Sequence, residues 1–166
     1  MMKKIITCVC VLGLALGGPV SAAEDRFSPW MYYSGRTNLG TKVCGMSSGI
    51  MNANIGQNLV IKALDNNPPR IVVDLYKDTW NYSEGESRTV MLDFGDNQPV
   101  NFDGYGFGHI MEITIPMNGL SLFLGKVTDR PFMQVIFPDG QDGTWTVAYT
   151  GSTNAVRRLT ACAMRF

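Results

Sequence analysis

Histidine is almost missing from this chain: His109 stands alone among 166 residues. One histidine cannot supply the usual zinc ligand set, and it does not make a catalytic triad. Its nearest acidic neighbour, Glu112, is three residues away, which on a strand places the two side chains on opposite faces. A structural histidine at a strand end is therefore expected. An excess of positive charge is lacking too, with 14 basic residues against 14 acidic ones. Nucleic-acid binding needs clustered lysine and arginine to displace counterions from phosphates, so a nucleic-acid partner is not expected. The chain also lacks internal repeats, heptads and low-complexity tracts.

Long apolar runs are scarce. The one near the start, Ile5 to Leu16, stops at Gly17-Gly18-Pro19, short of the ~20 residues needed to span a bilayer. Lys3 and Lys4 precede it and the small residues Val20-Ser21-Ala22-Ala23 follow. That is the layout of a cleaved secretory signal over residues 1–23, leaving residues 24–166 as one exported domain in the periplasm or outside the cell. Cys10 is preceded by Thr7, Cys8 and Val9, which lack the small residue expected before a lipidated cysteine. Removing the leader takes two lysines and no acids, so the mature chain is slightly acidic.

Cysteine is sparse. Of four, Cys8 and Cys10 leave with the leader, and Cys44 and Cys162 remain. In an oxidising compartment one disulfide between them is expected. It would close a loop of over 100 residues, worth roughly 4 to 5 kcal/mol on the chain-entropy account.

What the chain does have is alternation with a period of two. Leu59, Ile61 and Ala63 alternate with Val60 and Lys62, and Ile71, Val73 and Leu75 with Val72 and Asp74. Both read as strands with one buried face, joined as a hairpin across Asp65-Asn66-Asn67-Pro68-Pro69. The pattern returns at Val90 to Phe94, Met111 to Ile115, Met133 to Phe137 and Trp145 to Tyr149, the last two joined by Asp139-Gly140-Gln141-Asp142-Gly143. Trp30 to Tyr33 and Thr41 to Met46 bring the count to about eight, which predicts a mainly β fold, an antiparallel sandwich or barrel. Two segments switch to a helical period. Asn118 to Thr128 predicts a short helix with Asn118 as its N-cap. Residues from Ser152 or Thr153 predict a C-terminal helix burying Ala155, Val156, Leu159 and Cys162, with Arg157 and Arg158 facing water.

Chemical motifs are thin. Asp93-Phe94-Gly95 matches the magnesium motif of kinases but lacks the length, lysine strand and catalytic loop that give it meaning. Gly104-Tyr105-Gly106-Phe107-Gly108 reads as a glycine-rich connection before a strand, able either to tuck its rings onto the sheet edge or to offer them as a binding loop. No Lys-Ser or Lys-Thr follows, so it is no phosphate cradle. Asp93, Asp96 and Asp103, like Asp139 and Asp142, lack the spacing of a calcium loop, and turn chemistry accounts for them. No metal or other cofactor is expected. Asn81-Tyr82-Ser83 has only the form of a glycosylation sequon. Trp145 fits a buried face, whereas Trp80, next to a polar run and between Tyr76 and Tyr82, has either core packing or an exposed anchoring role open to it.

The arrangement resembles small periplasmic proteins of the invasion-associated locus B type. The residues that carry the likeness are Trp30, Cys44, Gly119-Leu120-Ser121-Leu122-Phe123 and Gly151-Ser152-Thr153-Asn154-Ala155. Members of that group generally have more cysteines. The resemblance implies an exported β-sandwich acting through surface contacts in the bacterial envelope.

The leading expectation is a non-enzymatic exported module that binds a protein or a cell-envelope ligand through Trp80, Tyr82, Tyr105 and Phe107. An inhibitor or immunity protein that blocks another protein's site with one loop is the nearest alternative. A carbohydrate hydrolase using a pair among Glu84, Glu86, Asp93 and Glu112 is the contrasting one, and it requires two carboxyl groups about 5 to 10 Å apart in a cleft.

Overall fold

The structure is a computed structural model that describes residues 23–27, 30–48 and 56–166. The expected leader, apart from Ala23, lies outside these residues. Ten strands run in chain order: β1 Ala23–Phe27, β2 Trp30–Arg36, β3 Lys42–Ser48, β4 Gln57–Leu64, β5 Arg70–Lys77, β6 Tyr82–Asp93, β7 Val100–Gly108, β8 Ile110–Pro116, β9 Phe132–Ile136 and β10 Trp145–Ala148. A 3-10 turn over Met117–Gly119 leads into α1, Leu120–Asp129, and the chain ends with α2, Thr153–Ala163. Among the described residues no helix is long and apolar enough to cross a membrane.

All ten strands form one antiparallel sheet in the order β1-β2-β3-β4-β5-β8-β7-β6-β9-β10. It curls into a half-barrel. The curl brings its two ends together: the Trp30 indole of β2 donates to the Ala148 carbonyl of β10 at 3.3 Å, and its ring lies 5.7 Å from Tyr149. The mainly β, antiparallel fold with two helices is as expected, and its single curled sheet is a half-barrel rather than a closed barrel or a two-sheet sandwich.

The period-two residues dictate which face turns inward. Leu59, Ile61, Ala63, Ile71, Val73, Leu75, Met111, Ile113 and Ile115 point to the concave side and join one core cluster with the apolar faces of both helices. In α1 these are Leu120, Phe123, Leu124 and Val127, and in α2 Ala155, Val156, Leu159, Cys162 and Ala163. Burying each large side chain contributes about 1.5 to 3 kcal/mol, so the helices are held chiefly by this face rather than by their caps. Cys162 of α2 is disulfide-bonded to Cys44 of β3, with Cα atoms 6.3 Å apart. The bond ties the last helix to the first half of the sheet.

Four expectations are corrected. The strand count is ten rather than about eight, because β1 and β7 carry no apolar alternation. β6 runs for 12 residues and takes in the polar stretch from Ser83 to Arg88, which a bulge between Tyr82 and Glu86 admits, with Gly85 at φ 78°. Asn118 is not the cap of α1; it lies in the 3-10 turn, and Gly119 holds the cap position without a side-chain hydrogen bond. Arg158 does not simply face water: its guanidinium stacks over the Tyr32 ring, 4.6 Å from the centroid.

Candidate functional site

Trp80 and Tyr82 lie at one end of the half-barrel, and both are buried, at 6% and 8% exposure. They are not the exposed anchors that the sequence left open. Trp80 packs 5.1 Å from Tyr82, 5.5 Å from Phe137 and 6.2 Å from Trp145, the last two edge to face. The polar atoms of this aromatic cluster converge on Asp142, in the turn between β9 and β10. Its carboxylate accepts from the Trp80 indole at 2.9 Å, Lys77 Nζ at 3.0 Å and the Tyr82 hydroxyl at 3.1 Å. Burial pushes this carboxyl up, but the donors from Trp80, Lys77 and Tyr82 outweigh it and hold the group below the usual carboxylate range. Burial, and then the Asp142 charge, raises the Tyr82 phenol. Asp142 is therefore more than a turn former; it fastens the β9–β10 turn to the connection between β5 and β6.

Beside it, Arg88 extends over the Tyr82 ring at 5.2 Å and reaches Glu86 Oε1, Asp139 Oδ2 and Gln141 Oε1 at 2.7 Å each. This end of the molecule is closed by paired charges. The hydrogen bond from Arg88 holds Glu86 below the usual carboxylate range, which is the reverse of what a general acid requires.

The glycine-aromatic stretch is not a loop. Gly104, Tyr105, Gly106 and Phe107 are regular residues of β7, paired with β6 and β8. The alternation explains why glycine and aromatic residues take turns. Gly104 and Gly106 face inward against tightly packed neighbours: a Cβ on Gly106 would lie 2.6 Å from Tyr82 Cβ, and one on Gly104 2.7 Å from Met111 Sδ. Tyr105 and Phe107 point the other way and are 51% and 42% exposed. Their rings are not tucked onto an edge but stand on the convex face of a paired strand, roughly 7 Å apart by strand geometry.

The register sets their surroundings. Across the convex face, Tyr105 is opposite Glu112, Glu112 opposite Asp74, and Asp74 opposite Val60; one row over, Phe107 is opposite Ile110 and Ile110 opposite Tyr76. Lys62 Nζ meets Asp74 Oδ2 at 2.6 Å, while the other oxygen of Asp74 is buried with no hydrogen-bond partner among the described residues. Burial and the Asp74 charge push the Tyr33 phenol up to about 12. The convex site is thus an aromatic pair, two apolar-bodied neighbours and a carboxylate pair with one lysine.

The remaining candidates are placed as follows. Asp93 Oδ1 accepts from the Gly95 amide at 2.8 Å, and Asp96 accepts from the Gln98 amide at 3.1 Å and from Lys126 at 2.6 Å. Glu84 is exposed in the bulged part of β6. Glu112 lies directly across from Asp74, an acidic partner that reading each strand alone did not expose. His109 sits between β7 and β8, its Nδ1 2.6 Å from the Trp80 carbonyl, the strand-end position expected. Among the described residues no three His, Cys, Asp or Glu side chains gather as a metal site.

No protein-family model matches this chain, and no curated protein sequence does. Its fold has a counterpart among solved structures. The chain is similar to invasion associated protein B from Bartonella henselae, with a TM-score of 0.52 and 13% identity, covering 84% of this chain and 97% of that one. The resemblance read from Trp30, Cys44 and the two glycine-containing stretches therefore holds as a weak likeness, carried by the fold.

Proposed function

We propose that this chain is an exported, non-enzymatic binding module of the periplasm or extracellular space, engaging a protein or cell-envelope ligand through the convex face around Tyr105 and Phe107. The observation that carries the reading is the exposure of these two rings on successive outward positions of a paired strand. Rigid aromatic side chains lose little entropy on binding and supply large contact areas, so they dominate many interfaces. Glu112 and Tyr76 beside them add polar groups that can fix orientation. Trp80 and Tyr82 serve this face from behind, through the packing of Tyr82 against Gly106. The near-neutral charge supports a partner other than nucleic acid, and the N-terminal pattern supports export.

A second reading, an inhibitor that inserts one loop into a partner, draws on Leu39. This residue is 94% exposed in the turn between β2 and β3. Retention by immobilised envelope extract separates the two. Binding lost in Tyr105→Ser/Phe107→Ser and kept in Leu39→Ser supports the convex face, and the opposite result supports the inhibitor.

A further inference from the structure

A second site lies away from the aromatic face, where the β4–β5 turn meets the end of β8. There a cavity of about 510 Å³ is bordered by Arg70, with the side chains of Asn66, Asn67, Thr114 and Asn118 around it. Arg70 begins β5, opposite Leu64 on one side and Pro116 on the other. Its Nε is buried and has no hydrogen-bond acceptor among the described residues. No acid is among the described residues lining the cavity. Asp65, at the start of the β4–β5 turn, is engaged by Lys42 at 3.2 Å.

Buried donors are nearly always matched, so an arginine held with one of them unmet is poised to take an acceptor. Guanidinium presents planar pairs of N–H groups that fit the two oxygens of a carboxylate. The neighbouring amides and the Thr114 hydroxyl can each donate a further hydrogen bond to such an anion. Pro69 and Met117 form an apolar wall of the same cavity, suited to a short hydrocarbon body behind the charge. The volume lies within the ~300 to 1,000 Å³ usual for small-ligand sites.

We infer that this cavity is a carboxylate-binding site with Arg70 as its anion-holding residue, taking a ligand that joins one carboxylate to a small apolar body. Such a group can belong to a free monocarboxylic acid or to the C-terminus of a peptide. Arg70 turns its guanidinium by side-chain rotation to meet the anion, and the orphaned Nε–H gains an acceptor.

Nuclear magnetic resonance on the oxidised protein tests this through the Arg70 Nε–H signal itself, with hexanoate, an N-acetylated tripeptide ending in leucine, and the amidated form of that tripeptide as probes. The site predicts a saturable downfield shift with hexanoate or the free-acid peptide, and none with the amide. Whichever probe shifts the signal at the lower concentration identifies the source of the carboxylate. Arg70→Gln should weaken that binding by about tenfold or more, the loss of one charged bidentate contact. Thr114→Phe, which fills the cavity from an exposed strand position, should block it without touching the arginine. An unmoved Nε–H signal with both acids, or equal shifts with acid and amide, would overturn the assignment.

Discussion

The Asp142 carboxylate accepts the Trp80 indole N–H at 2.9 Å across 62 residues of chain. The same carboxylate holds Lys77 and Tyr82, so one side chain fastens the β9–β10 turn onto the connection that leads from β5 into the long strand β6. The packing of Tyr82 against Gly106, and with it the position of β7, depends on this anchor.

Asp142→Ala leaves an indole N–H, an ammonium and a phenol without their acceptor in a largely buried cluster. A loss of about 3 to 5 kcal/mol is expected, the range for breaking a buried charged pair from one side. Urea denaturation followed by tryptophan fluorescence measures it, and Asp142→Asn should recover part of the loss by keeping one acceptor oxygen.

The pH dependence has a defined sign. Asp142, Asp96 and Glu86 are all held below their ordinary values in the folded chain. Their contribution is full above the unfolded carboxylate range, near pH 4, and is lost as pH falls through the lower folded values. Thermal denaturation should show a melting temperature that is level from pH 7 to about 5 and drops below about 4. The drop should be shallower in Asp142→Asn.

Reducing the Cys44–Cys162 bond frees 118 residues of chain in the unfolded state. The paired substitution Cys44→Ser/Cys162→Ser should cost about 4 to 5 kcal/mol. Comparing urea midpoints of the oxidised protein and the double variant checks this.

Gly106→Ala puts a methyl group 2.6 Å from Tyr82 Cβ. The overpacking should destabilise the protein by about 1 to 3 kcal/mol. Gly140, where a Cβ would meet nothing within 4 Å, has no such contact; its cost in Gly140→Ala comes only from φ 71°. Calorimetry on the two variants separates crowding from backbone strain.

The strands legible in the sequence were those with strict apolar alternation, such as Leu59, Ile61 and Ala63. β7 stayed hidden because its inward positions hold glycines, which remove the hydrophobic signal while serving the same face. Glycine at Gly104 and Gly106 looked like loop chemistry, yet it makes room for Met111 and Tyr82. The Asp142 anchor was masked by a turn in which aspartate needs no further reason. The Asp74–Glu112 pairing depends on β5 lying beside β8, a long-range choice of neighbour that the period within either strand does not encode. Arg70 drew no notice because an orphaned donor exists only once the chain is folded around it.

Hydroxyl-radical footprinting of the oxidised protein, with and without bacterial envelope extract, tests the central claim most directly. The convex-face reading predicts that oxidation of Tyr105 and Phe107 falls sharply with extract, while Leu122 and Met164, exposed at 71% and 79% on the helical side, are oxidised as before. Unchanged labelling of Tyr105 and Phe107 alongside protection at Leu39, Leu122 or Met164 would contradict it.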